Sequence, residues 1–109
     1  MTQLALDTWA AEPPKPPTMR ETWERFHAEN PHVYRLFERF AFEAIGAGRE
    51  RFGAKAIWER LRWELGVRVV GAEAPKLNNN HTAYYAREFV RRNPKHAGLF
   101  EFRGGGACP

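Results

Sequence analysis

The chain has 109 residues, 43% of them apolar and 14% aromatic, which is enough for one domain with a packed core. No stretch approaches the roughly 20 apolar residues of a membrane-spanning helix and the first residues lack a secretory pattern, so we expect a cytoplasmic protein with no membrane partner. The single cysteine, Cys108, cannot form an internal disulfide, which agrees with a reducing compartment.

Charge is distributed unevenly along the chain. Residues 1–30 carry three cations and five acids, whereas residues 31–109 carry fourteen cations and eight acids. Most of those fourteen cations are arginines, whose forked guanidinium group matches phosphate oxygens and guanine edges. The basic part of the chain therefore favours a nucleic-acid partner, although many basic domains bind none.

Prolines separate the beginning of the chain from the rest. Four prolines between positions 13 and 17 disfavour regular structure, so residues 1–17 are predicted to form a flexible arm. Thr18 is a good N-cap for a first helix that ends at Asn30, before Pro31. Trp9 lies in the arm with nothing nearby to bury it, which makes it a candidate anchor for a protein partner.

Two further helices are predicted between residues 31 and 66. Apolar residues from Val33 to Ile45 follow the three- and four-residue spacing of a helix with one buried face, and Gly46 and Gly48 end it. A third helix follows a short basic loop, runs from about Ala54 to Leu65, and is predicted to end at Gly66.

Two short segments predict strands. Residues 67–70 are rich in valine, and residues 99–103 are of similar length and apolar character, so the two are expected to pair. The predicted fold is therefore mainly α: a four-helix single domain over residues 18–103 with a small antiparallel β-ribbon, similar to winged-helix and helix-turn-helix proteins. Residues 104–109 are predicted to form a flexible tail.

The fourth helix, which Asn78–Asn80 can cap and Asn93-Pro94 ends, has two faces. One face is apolar, and the other places Asn80, Tyr84, Arg87 and Arg91 at spacings of four, three and four. Asparagine and arginine pair with adenine and guanine edges in the major groove, so the stripe predicts binding to double-stranded DNA. The predicted nucleic-acid contacts are Lys76, Asn79, Asn80, His81, Tyr84, Arg87, Arg91 and Arg92, with Arg49, Arg51, Arg60 and Arg62 on phosphates.

Other interpretations remain open. A helix with one apolar and one arginine-rich face is also typical of an ordinary surface helix, and Asn78–Asn80 can be simple turn residues. The linker from Gly66 to Leu77 is longer than the turn of 3–4 residues in a usual helix-turn-helix. A homodimer would suit a palindromic site, although no heptad pattern indicates one.

Catalysis is not predicted. The four histidines, His27, His32, His81 and His96, are scattered and lack zinc-ligand spacing. The chain has no glycine-rich phosphate loop and no nucleophile motif, so we expect neither enzyme activity nor a metal or other cofactor.

Two stretches, residues 26–63 and 76–94, resemble a small family of uncharacterised bacteriophage and prophage proteins. The resemblance rests on Asn30-Pro31, on the segment from Ile57 to Trp63, and on Lys76-Leu77-Asn78-Asn79-Asn80 followed by Tyr85-Ala86-Arg87. It implies a phage origin and two hypotheses. One is a DNA-binding regulator or replication accessory protein, and the other is an anti-defence or host-takeover protein that inhibits a host protein such as a CRISPR effector by direct binding.

Overall fold

The computed structural model describes residues 15–68 and 75–102, and this part of the chain is built from helices. The four α-helices are α1 (Met19–Glu29), α2 (Pro31–Gly46), α3 (Ala54–Trp63) and α4 (Thr82–Arg92). A π-helical turn, Glu64–Arg68, extends α3, and 3-10 turns occupy Asn79–His81 and Pro94–His96. The predicted mainly helical fold with four helices is therefore confirmed.

Capping residues define the helix ends. The Thr18 hydroxyl accepts a hydrogen bond from the Glu21 amide at 3.1 Å, and the Thr18 amide donates to the Glu21 carboxylate at 2.9 Å, which together form a capping box. At the end of α2, Gly48 adopts φ 92° and the Arg49 amide donates to the Ala44 carbonyl at 3.0 Å. This is a Schellman motif, so the predicted role of Gly48 as a helix end is correct.

Two asparagine-proline pairs end helices in the same way. Asn30 after α1 and Asn93 after α4 have nearly identical backbone angles, with φ −133° and −132°. Each side-chain amide turns back and donates to the carbonyl four residues earlier, at 3.1 Å to Phe26 and 3.0 Å to Phe89. Asn30 therefore closes α1 and does not cap α2 with its side chain.

The core lies where the four helices meet. Tyr85 of α4 is fully buried and packs against Trp58 of α3, Phe37 of α2 and Trp23 of α1. The segment after α4 returns to this core, since Phe100 is 4% exposed and packs against Phe37 and Phe89. This return brings residues 99–102 alongside the beginning of α3, where the Phe52 amide donates to the Leu99 carbonyl at 2.9 Å.

The predicted β-ribbon is wrong, because no strand occurs in residues 15–68 or 75–102. Val67 and Arg68 belong to the π-helical turn, so helical winding passes through Gly66, and strand propensity is overridden by continuation of the existing helix. Leu99 and Phe100 are both buried although they are consecutive, which differs from the alternation of a half-buried strand. Without the ribbon, the described part of the chain has no element that corresponds to the wing of a winged-helix protein.

Several predictions concern residues that lie outside the described part. They are residues 1–14 of the predicted arm, which include Trp9, then Val69 and Val70 of the first predicted strand, Arg103 of the second, and the predicted tail over residues 104–109, which includes Cys108.

Candidate nucleic-acid interface

The interface predicted from the sequence centres on α4, whose two faces differ as expected. Tyr85, Ala86, Phe89 and Val90 are buried, whereas Ala83 and Arg91 are exposed and Arg87 is partly exposed. In the 3-10 turn Asn79–His81 that precedes α4, the Asn78 side chain accepts a hydrogen bond from the Asn80 amide at 2.8 Å. Asn78 therefore caps this 3-10 turn, whereas α4 itself has no side-chain cap, and the side chains of Asn79 and Asn80 lie at the surface.

His81 is not at this surface. Its side chain is 2% exposed, packs against Phe26 at a ring-centroid distance of 5.4 Å, and has no hydrogen-bond partner on either nitrogen among the described residues. Burial lowers the pKa of its imidazole, because the charged form loses its hydration. In this position His81 is a neutral core residue and cannot contact a phosphate.

Tyr84, a residue of the predicted stripe, packs against α1. Its ring stacks on Trp23 with centroids 5.4 Å apart, and the Arg87 guanidinium lies 5.4 Å from the Tyr84 centroid. The same guanidinium is 5.9 Å from the centroid of Phe102. Arg87 thus lies near two aromatic rings, and it forms no ion pair with any described residue.

Arg91 and Arg92 share one carboxylate. Glu88 accepts from Arg91 at 2.6 Å and from Arg92 at 2.7 Å, and hydrogen bonding from Arg91 lowers the pKa of Glu88 to about 2. Arg92 also lies over the Tyr34 ring at 4.2 Å, which ties α4 to α2. These two predicted nucleic-acid contacts are therefore paired with a carboxylate in the free protein, and Glu88 cancels part of their charge.

The two predicted arginines of α3 are also paired. Arg60 donates to Glu43 at 2.6 Å and lies 4.0 Å from the centroid of Phe40. Arg62 donates to Glu59 at 2.8 Å and to the side-chain oxygen of Asn79 at 2.6 Å. Arg60 thus joins α3 to α2, and Arg62 joins α3 to the turn that precedes α4.

An open groove with a volume of about 760 Å³ runs between the start of α3, the outer side of α4 and the returning segment 99–102. We call it the basic groove. Its polar and charged lining consists of Arg51, Lys55, Asn79, Asn80, Thr82, Arg87 and Glu101, and Phe102 contributes an aromatic ring. The groove thus brings together four residues of the predicted site, Arg51, Asn79, Asn80 and Arg87.

Other predicted contacts lie elsewhere. Arg49 is exposed beside a separate hollow that is also lined by Lys95 and His96, and Lys76 is exposed but does not line the basic groove. Lys55, Glu101 and Phe102 were missed. Nothing in the sequence places segment 99–102 against α3, because that contact depends on the turn after α4 and on burial of Phe100.

The groove has more positive than negative charge. Arg51 and Glu101 form an ion pair at 2.9 Å in which both side chains are more than 70% exposed. Lys55 and Arg87 have no carboxylate partner within residues 15–68 and 75–102. The start of α3 also faces the groove without a side-chain cap, so its first amides add positive potential there.

No protein-family profile, curated protein or solved structure matches the chain. In the described part of the chain, no helix is long and apolar enough to cross a membrane. Residues 15–68 and 75–102 also contain no cluster of three or more histidine, cysteine, aspartate or glutamate side chains that could hold a metal ion.

Proposed function

We propose that this protein binds DNA through the outer side of α4 and the adjoining basic groove. The observation that carries the proposal is the position of two cations, Lys55 and Arg87, which face one groove and have no carboxylate partner among the described residues. A phosphate that enters the groove meets charge that is not already neutralised, and release of its counterions favours binding.

The surface of α4 supports close approach of a nucleic acid. Ala83 is exposed between Asn80 and Arg87, and its methyl group leaves the helix backbone accessible. Contacts with Tyr84 and Phe102 restrict the Arg87 side chain, so less side-chain entropy is lost when it contacts a ligand. In the turn before α4, the Asn80 side chain offers a donor and an acceptor to base edges, and the Asn79 amide nitrogen offers a further donor.

The proposal uses α4 and the basic groove alone. It assigns no role to a wing, and it gives Arg60, Arg62, Arg91 and Arg92 a secondary role because their carboxylate partners must be displaced or must remain nearby when phosphate binds. Phage origin, which the resemblance implies, is compatible with a small DNA-binding protein but is not needed for the physical argument.

The test is a fluorescence-anisotropy titration of mixed-sequence DNA at salt concentrations from about 50 to 200 mM. We expect the double variant Lys55→Gln/Arg87→Gln to bind about tenfold or more weakly, with a salt dependence reduced by about two in the log–log slope. The matched control is Arg25→Gln/Arg35→Gln, which removes two exposed cations that do not line the groove.

The titration distinguishes three outcomes. A loss confined to the groove variant supports the proposal. Equal losses in both double variants indicate a general charge effect and no defined site. Absence of binding by the wild-type protein at low salt refutes the proposal.

A second function, binding to a host protein, is favoured by one separate feature. Trp63 is 62% exposed and Val67 is 53% exposed, and the two lie four residues apart on successive helical turns. Exposed aromatic and aliphatic side chains of this kind are typical of protein contacts. Under this hypothesis, Trp63→Ala abolishes binding to and inhibition of a purified host target without changing DNA affinity, and inhibition that persists in Trp63→Ala contradicts it.

A further inference from the structure

The walls of the basic groove differ in chemistry from one side to the other. Arg51 and Lys55 lie on the α3 side, Arg87 lies on α4, and Phe102 lies on the returning segment. A site with cations close to a partly exposed aromatic ring fits a nucleotide, because a nucleotide joins an anionic phosphate to a flat base.

Phe102 is suited to stack against a base. Its side chain is partly exposed, although it also packs against the hydrophobic core, which limits its motion. The Arg87 guanidinium lies 5.9 Å from the centre of its ring, so one cation is within reach of both a stacked base and its phosphate. Every base has a π-face, so stacking of this kind tolerates different sequences.

The amide side chains supply contacts to a base edge. Asn80 lines the groove, and its side chain makes no hydrogen bond to other described residues, since only its backbone amide is bonded to Asn78. Asn79 also lines the groove, with its side-chain oxygen bonded to Arg62 and its amide nitrogen available as a donor. Amides of this kind read the hydrogen-bonding edge of a base that has left its pair.

Base pairing determines which form of DNA can make these contacts. In a duplex the base faces are covered by stacking and the Watson–Crick edges are occupied, so a paired base cannot reach both Phe102 and the asparagines without leaving the helix. An unpaired nucleotide has both surfaces free. The groove volume of about 760 Å³ also lies in the range of small-ligand sites, about 300–1,000 Å³.

We infer that the basic groove binds an unpaired nucleotide, with its phosphate among Arg51, Lys55 and Arg87 and its base against Phe102, so that the protein prefers single-stranded DNA to duplex. This inference rests on the proposed function and specifies its substrate class. Glu101, which forms an ion pair with Arg51 at the groove, repels the phosphate. The affinity for the nucleotide is therefore lower than it would be if all three cations were unpaired.

The experiment compares fluorescein-labelled single-stranded DNA with the blunt duplex of the same sequence at about 50 mM salt. We expect the single strand to bind at least about fivefold more tightly, and Phe102→Ala to weaken single-strand binding about tenfold while changing duplex binding less than about twofold. Phe102→Tyr, which keeps the aromatic face, restores single-strand affinity. Phe42→Ala is the matched control, because Phe42 is a phenylalanine with 40% exposure that does not line the groove.

Circular dichroism verifies the fold of each variant, and Asn80→Ala, an exposed substitution, tests the base-edge contact independently of Phe102. If single-strand and duplex affinities are equal and neither Phe102→Ala nor Asn80→Ala changes them, the nucleotide site is refuted while DNA binding stands. If neither form of DNA binds, both the inference and the proposed function fail.

Discussion

Replacement of Glu101 by glutamine tests the groove by a gain of affinity, which loss of folding cannot imitate. Glu101 is the only acid that lines the basic groove within the described residues, and its carboxylate lies 2.9 Å from Arg51. Glutamine keeps the size of the side chain and removes the charge. It therefore ends the repulsion of phosphate and makes Arg51 available to the ligand.

The magnitude follows from the exposure of the pair. Glu101 is 79% exposed, so the dielectric constant of water applies, and a phosphate about 6 Å away is repelled by about 0.7 kcal/mol before salt screening. That energy corresponds to about threefold in affinity. Release of one more counterion by Arg51 should also steepen the log–log salt dependence by about 0.7 to 0.9. Thermal stability should change little, since exposed ion pairs contribute about 0.2–1 kcal/mol.

The assay is the same anisotropy titration at several salt concentrations, with Glu29→Gln as the matched control. Glu29 is an exposed acid at the end of α1 that does not line the groove, so its replacement makes the same change in net charge. Tighter binding by Glu101→Gln than by Glu29→Gln supports the groove. If the two variants gain equally, only net charge matters and DNA does not enter the groove.

Three further predictions concern stability. Gly48→Ala should lower the free energy of unfolding by about 1 kcal/mol because of its positive φ. Gly46→Ala, at the last residue of α2 with open space around it, should raise the free energy of unfolding by about 0.5–1 kcal/mol. Urea unfolding measures both changes, and equal effects would contradict the Schellman motif. The pKa of His81 is lower in the folded protein than in the unfolded chain, so as pH falls below about 6.5 the unfolded chain binds a proton at His81 before the folded protein does. The free energy of unfolding should therefore drop by at most about 1.4 kcal/mol between pH 7.5 and 5.5. His81→Leu should remove this part of the pH slope, and an unchanged slope would show that the imidazole is solvated. Glu88, whose pKa is lowered to about 2, contributes stability that is lost as pH falls from about 4.5 towards 2. Glu88→Gln should therefore make the melting temperature depend less on pH in this acid range. An unchanged pH dependence would mean that the pairing of Glu88 with Arg91 and Arg92 does not stabilise the fold.

The helices were predictable because their signals are local. Thr18, the two asparagine-proline pairs and Gly48 specify helix ends through contacts with residues at most five positions away. The buried face of α2 likewise follows from apolar spacing alone. Such features depend on backbone conformation and nearest neighbours, which the sequence displays directly.

The helical conformation of Val67 and much of the site could not be predicted in the same way. Strand propensity at Val67 competes with continuation of α3, and the outcome depends on what surrounds that turn. His81, in the turn before α4, and Arg87, on α4, are both polar residues, yet His81 is buried against Phe26 and Arg87 faces a groove that segment 99–102 completes. Helical spacing separates the two faces of α4 but does not reveal which neighbour covers each one.

Ion pairing, more than net charge, determines which cations are available to a ligand. The chain has a formal charge of +4, but Arg60, Arg62, Arg91 and Arg92 each contact a carboxylate that also orders a helix or joins two of them. Lys55 and Arg87 have no such partner among the described residues, and both face the same groove. Arginines of the described part therefore differ in whether a carboxylate already contacts them and in whether they line the basic groove. This difference depends on where the glutamates lie in three dimensions. A charge count alone makes Arg91 as good a candidate for contact with phosphate as Arg87, whereas ion pairing and position favour Arg87 and Lys55 as the candidates.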